Sequence, residues 1–188
     1  MVRKLKYHEQ KLLRKVDFTT YKSDSSHRAA AISRRYAIAS PNDYSKYNRI
    51  CGSLRQLAHL LAALPPDDAV RQKHEALLLE KCYDMGFLGT AGAGGRGKLS
   101  EVEKKLSVSS LCRRRLGVVM TRLGMGDTVQ AANKFIEQGH VRVGPEVITD
   151  AAFLVTRNME DFVTWVDSSK IKRNILKYRD KLDDFDLL

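Results

Sequence analysis

Between Leu111 and Val155 the hydrophobic spacing changes from three- and four-residue steps to strict alternation, and the change falls at a glycine. Leu111, Cys112, Leu116, Val119, Met120 and Leu123 fall within one half of a helical circumference, and Gly124 ends that run. Asp127 with Gln130 opens a second helix, capping-box fashion, whose apolar stripe is Val129, Ala131, Ala132, Phe135 and Ile136. Gly139 stops it. Val141 and Val143 then alternate with His140 and Arg142 as in a half-buried strand, and Gly144-Pro145 turns the chain into Glu146 to Thr149. Two short helices followed by a hairpin cannot build a large parallel sheet or a bundle. They predict a small α+β module.

N-terminal to this module the pattern is helical. Ser40 is placed to cap a helix with Pro41 in its first position, and Tyr47, Ile50, Cys51, Leu54, Leu57, Ala58 and Leu61 form its stripe. Pro65-Pro66 ends it, Asp67-Asp68 opens the next helix, Leu77, Leu78, Leu79 and Cys82 pack it back on the first, and Gly86 closes it. Five glycines in Gly89 to Gly97 mark a spacer. Ser107 or Ser109 begins the helix that carries Leu111. Strand-like runs follow at Phe153 to Thr156 and at Phe162 to Val166, where Phe162, Trp165 and Val166 are expected in the core, and Ser169 to Leu182 is helical and basic. The expected organisation is a basic arm over 1–35, a helical hairpin module over 36–88, a glycine-rich linker over 89–106, an α+β module of two helices on a small sheet over 107–175, and a tail over 176–188 with an acidic end.

The charge is +11, and the first 35 residues, with ten Lys/Arg against three acids, hold a surplus of seven. A field of this sign favours polyanions. No apolar run is long enough to span a bilayer, and the basic start lacks the apolar segment of a secretory signal. Cys51, Cys82 and Cys112 are too few and too widely spaced for a disulfide framework or a zinc knuckle. Ser107, Ser109 and Ser110 have no neighbouring base, and the glycines lack the strand before and the Lys-Ser/Thr after that a phosphate loop requires. Neither catalysis, a cofactor nor a small-molecule substrate is expected.

The segment Arg113 to Arg157 resembles the RNA-binding S4 domain of small-subunit ribosomal protein four. The resemblance rests on Arg114-Arg115-Leu116, Leu123-Gly124, Ala132 and the run Gly139 to Val143. The basic start, the Tyr44 to Ala58 and Leu77 to Met85 helices and the Val155 to Ile171 segment resemble that protein's nucleolar relatives, subunits of the U3 small nucleolar ribonucleoprotein. Two departures stand out: the Gly89 to Gly97 segment reads as an insertion, and Asp150-Ala151-Ala152 replaces a proline common in related domains. The resemblance implies an RNA-binding assembly factor in the nucleus and nucleolus, acting in early processing of the small-subunit ribosomal RNA precursor. Its implied partners are that precursor, the U3 small nucleolar RNA and an M-phase phosphoprotein scaffold.

On this reading the RNA contacts are Arg113, Arg114, Arg115, Arg122, Lys134, Gln138, His140 and Arg142 in the module, with Arg3, Lys4, Lys6, Lys11, Arg14 and Lys15 in the arm. On a continuous helix Arg114 points away from the apolar stripe, Arg113 and Arg115 flank it, and Arg115 stacks above Arg122. Three guanidiniums near a helix N-terminus oppose its dipole unless an anion joins them. His140 reads as a surface residue, a metal ligand or an RNA contact, and no second ligand stands at metal spacing. The arm reads equally as a solubilising tail, a targeting stretch or an RNA-penetrating segment, with Leu5, Leu12, Leu13, Val16 and Phe18 available to fold on binding. Rival identities are a ribosomal protein of the mature small subunit and an RNA-modifying enzyme or tRNA synthetase carrying an S4 domain.

Overall fold

The computed structural model describes residues 3–15, 28–89 and 98–181. The readings placed on Val16, Phe18, the run Gly92 to Gly97 and the acidic Asp183 to Leu188 lie outside the described residues. So do the side chains of Leu12, Leu13, Arg14 and Lys15.

In chain order the elements are helices α1 (Tyr7–Lys15), α2 (Arg28–Arg35), α3 (Pro41–Ala63), α4 (Ala69–Asp84), α5 (Leu99–Lys105), α6 (Val108–Cys112), α7 (Leu116–Arg122) and α8 (Val129–Glu137). Strands β1 (Val141–Val143) and β2 (Glu146–Val147), helix α9 (Arg157–Glu160), strand β3 (Val163–Trp165) and helix α10 (Lys170–Tyr178) complete them. The α+β expectation is met by a three-stranded antiparallel sheet in the order β2-β1-β3, with Arg142 opposite both Val147 and Thr164.

Two cores divide the chain. The first gathers Ile32, Tyr36, Tyr47, Cys51, Ala58, Leu79, Cys82, Val102, Leu106 and Leu111 from α2 to α6. The second gathers Leu116, Val119, Met120, Ala132, Ile136, Val141 and Val155 from α7, α8 and the sheet. Local chemistry sets most boundaries. Ser40 precedes α3 with Pro41 at its start, Asp68 Oδ1 accepts the Val70 N–H at 2.8 Å, and Gly124 and Gly139 take positive φ of 73° and 74° where α7 and α8 stop. The second helix of the module is capped by Thr128, whose side chain accepts the Ala131 N–H, and not by Asp127.

The structure corrects several expectations. Residues 28–35 are not part of a loose arm, because Ile32 is buried in the first core. The linker is shorter than 89–106: Leu99, Val102 and Leu106 drive α5 against α3, and Arg55 donates to the Leu106 carbonyl. Ile50, Leu57 and Leu77 face solvent. Phe162 is 61% exposed, although Trp165 packs edge-on against Phe135 with ring centroids 5.7 Å apart. Phe153 to Thr156 contributes no regular strand, only the bridge of Leu154 to Arg115. At the hairpin exit Asp150 Oδ1 accepts the Ala152 N–H at 2.7 Å in an Asx turn.

All three cysteines are buried, and desolvation pushes the Cys112 thiol up to about 11. A thiol held protonated and covered is a poor nucleophile. The folded chain is expected to resist iodoacetamide at mildly alkaline pH and to take up three labels only when denatured. Mass spectrometry before and after urea addition tests this, and rapid labelling of Cys112 in the folded chain would refute it.

Candidate nucleic-acid interface

The arginine run does not lie on one helix. α6 ends at Cys112, Arg113 and Arg114 form a turn, and Arg115 is extended (φ −64°, ψ 140°) before α7 begins. Leu111 and Cys112 belong to the first core and Leu116 to the second, so the chain changes direction between them. A backbone bridge stabilises the break: the Leu116 N–H donates to the Phe153 carbonyl at 2.9 Å, and the Val155 N–H to the Arg114 carbonyl at 2.8 Å.

This break reverses the expected orientation of the arginines. Arg113 is exposed, whereas Arg114 and Arg115 are 4% and 3% exposed. Arg114 Nε donates to the Val155 carbonyl and Nη1 to Glu160 Oε2, both at 2.9 Å. Arg115 Nη1 reaches Tyr47 Oη at 3.1 Å and Asp43 Oδ2 at 3.3 Å. Buried guanidiniums require such partners, and these come from opposite ends of the chain. Arg114 and Arg115 are therefore seam residues that hold the two cores together, and they are withdrawn from the set of exposed RNA contacts.

Sequence reasoning missed a third member of the seam. Arg157 Nε donates to the Tyr83 carbonyl at 2.7 Å, Nη2 to the Leu88 carbonyl at 2.6 Å, and the guanidinium lies 4.5 Å from the Tyr83 ring centre. It secures α9 to the end of α4. Nothing in its local sequence distinguishes it from a surface arginine.

Glu160 sits between Arg114 and Arg122 and pairs with both. Burial pushes its carboxyl up, but the two guanidiniums outweigh burial and hold it below the usual carboxylate range. A depressed carboxyl contributes stability that is complete above its unfolded value, near 4.5, and is lost as the pH falls through the folded value. Glu160→Gln is thus expected to be less stable than the natural chain at neutral pH and to lose less stability on acidification. Urea unfolding at a series of acidic pH values measures it; parallel pH profiles would exclude this role for Glu160.

The remaining candidates lie on the module's surface. Arg113, Arg122, Lys134 and Gln138 are exposed. Lys134 lines a groove of about 480 Å³ between α8 and the end of α2, with Arg34, Asn133 and Glu137. Asn133 Nδ2 donates to the Ala37 carbonyl at 3.2 Å across it. His140 and Arg142 are half-buried and both meet the segment after β3. His140 Nδ1 is 3.0 Å from Ser169 Oγ, while Arg142 donates to Thr164 Oγ1 at 3.1 Å and Asp167 Oδ2 at 2.6 Å. Lys172 and Arg142 hold the Asp167 carboxyl below its ordinary range. In the N-terminal segment Arg3, Lys4, Lys6 and Lys11 are exposed, with Arg3 paired to Glu9 at 2.7 Å, and Arg14 and Lys15 end α1. Among the described residues no group of three or more His, Cys, Asp or Glu side chains is placed to hold a metal ion. The cations stand apart over the surface, and the Ser169–His140 pair belongs to a helix cap, with Ser169 4% exposed and accepting the Ile171 N–H.

Residues 4–113 match the family described as Ribosomal protein S4/S9 N-terminal domain, and residues 114–161 match the S4 domain. The boundary between the two matches falls inside the arginine turn. The chain is 60% identical over 186 residues to the U3 small nucleolar ribonucleoprotein protein IMP3 of Saccharomyces cerevisiae, covering 99% of each chain. It is 51% identical over 188 residues to the Homo sapiens protein of the same name, covering 100% of this chain and 99% of that one. Similarity to small ribosomal subunit protein uS4 of Metallosphaera sedula is more distant, 31% over 142 residues, covering 74% of this chain and 73% of that one. The chain belongs to the IMP3 family of S4-domain proteins.

Proposed function

We propose that this protein is an RNA-binding ribosome-assembly factor of the U3 small nucleolar ribonucleoprotein, acting in early processing of the small-subunit ribosomal RNA precursor. The observation that carries the proposal is likeness along the whole chain to proteins named as components of that particle. Basic and polar side chains of the S4 module and the N-terminal segment supply the contacts. Arg113, Arg122, Lys134, Gln138, His140 and Arg142, with Arg3, Lys4, Lys6, Lys11, Arg14 and Lys15, grip phosphate and ribose, because an A-form helix hides its base edges in a deep groove. The work is binding and assembly without catalysis, in the nucleolus.

Its RNA partners on this reading are the ribosomal RNA precursor and the U3 small nucleolar RNA, and its protein partner is an M-phase phosphoprotein scaffold. Exposed apolar side chains on α3, Ile50 and Leu57 one heptad apart together with Leu60, support the helical hairpin as the scaffold's docking surface. None of the described helices is long and apolar enough to cross a membrane.

Gradient fractionation with immunoblotting and RNA detection tests the proposal. The chain is expected to sediment with large nucleolar precursor particles and the U3 RNA. Stoichiometric presence in mature small subunits would establish the alternative, a structural ribosomal protein.

A further inference from the structure

Helix α10 has an electrostatic arrangement that its own stability does not explain. Its start is fixed to the sheet module: Ser169 Oγ accepts the Ile171 N–H at 3.2 Å and lies against His140, and Lys172 pairs with Asp167, which also holds Arg142. Ile171, Ile175 and Leu176 are half-buried along one side. At 100° per residue the opposite side presents Lys170, Arg173, Asn174 and Lys177 within one arc, all exposed, and Tyr178 at its edge is 90% exposed.

The three cations stand at steps of three and four residues, where like charges repel. There is no acid in the first turn, so Lys170 and Lys172 also oppose the helix dipole. Among the described residues no ion pair joins Lys170, Arg173 or Lys177 to a carboxylate. A local rule broken several times on one face, with no compensation inside the chain, marks a surface that completes itself with a ligand.

We propose that Lys170, Arg173 and Lys177 form a second RNA-contacting face that extends the S4 surface from Arg142 along α10 and takes the phosphate backbone of an RNA duplex. The inference rests on the RNA-binding reading above and adds a site to it. From Lys170 to Lys177 the helix rises about 10 Å, enough to follow successive phosphates along a strand. Protein interface cores exclude charge, whereas nucleic-acid interfaces are rich in it. A membrane-surface helix would need its apolar side free, and here that side is half-buried.

The test uses the full chain carrying Lys170→Gln, Arg173→Gln and Lys177→Gln, titrated with a 20-base-pair RNA duplex across a salt series. The loss of three phosphate contacts lowers the slope of log affinity against log salt by about 2 to 3, and weakens binding on the order of a hundredfold at 0.15 M salt. Circular dichroism and thermal melting are expected to match the natural chain. The charge-keeping variant Lys170→Arg, Lys177→Arg retains the slope, and its failure to do so would show that helix shape and not charge is responsible, overturning the proposal. An unchanged slope in the folded triple variant overturns it while leaving the RNA-binding reading intact. No duplex binding by the natural chain overturns both. Loss of polyglutamate binding with duplex binding preserved would assign the face to an acidic protein instead.

Discussion

Arg114→Ala is expected to lower the unfolding free energy by about 3 kcal/mol, while Arg113→Ala, one residue away, changes it by less than about 0.5 kcal/mol. Removing one member of a buried, hydrogen-bonded ion pair costs roughly 3 to 5 kcal/mol, and the lost stem leaves a cavity beside Gly86. Two features keep the loss at the lower end. Glu160 retains Arg122, and Arg114 Nη2 is buried without a hydrogen-bond partner among the described residues, so its removal relieves one unpaired donor. Arg113, exposed and with a 3.2 Å contact to Ser110 Oγ as its one side-chain hydrogen bond among the described residues, has little to lose. Parallel urea unfolding of both variants decides the matter. Equal stability would mean that Arg114 faces solvent as a continuous helix would have it. RNA titration supplies the complementary reading, with Arg113→Ala weakening binding in a fully stable protein.

Gly117→Ala is expected to destabilise by about 2 to 3 kcal/mol, in a way that a second substitution partly repairs. A β-carbon at Gly117 would overlap Asn133 Oδ1, where α7 crosses α8. Asn133 cannot simply swing away, because its Nδ2 holds the Ala37 carbonyl across the groove. Asn133→Ala alone forfeits that hydrogen bond, about 1 kcal/mol, but in the double variant it also removes the obstruction. The two changes together should therefore cost less than their sum by about 1 kcal/mol or more, and a double-mutant cycle reads this coupling directly. Strict additivity would show that the overlap is relieved elsewhere.

What the sequence conveyed well was local. Gly124, Gly139 and Gly144 stop or turn the chain where their positive φ is needed, and Val141 and Val143 alternate inward as written. The helical run read from Ser169 matches α10, which follows that residue. What it concealed depends on partners far along the chain. Leu111, Cys112, Leu116, Val119 and Met120 keep a helical phase through the break at Arg113 to Arg115, so periodicity could not reveal it. The break is held by Phe153 and Val155, and the burial of two arginines depends on Asp43, Tyr47 and Glu160. In α5 the signal was present, Leu99, Val102 and Leu106 at three- and four-residue steps, but the glycines before it made the segment read as a spacer. For the candidate RNA contacts, charge alone named exposed Lys134 and half-buried Arg142 together with Arg113 to Arg115 and could not separate exposed Arg113 from its buried neighbours.

The seam also orders events in time. Every buried residue of the first core lies between Ile32 and Cys112, so that core can close while the rest of the chain is still being synthesised. Its attachment to the second core waits for Val155, Arg157 and Glu160, which leave the ribosome some forty residues after the arginine turn. Until they arrive, Arg114 has neither of its partners and Tyr83 lacks its covering guanidinium. A nascent chain stalled before residue 155 would thus be a folded helical half carrying a bare guanidinium, and the segment from Val155 to Glu160 is the clasp that joins it to the second core.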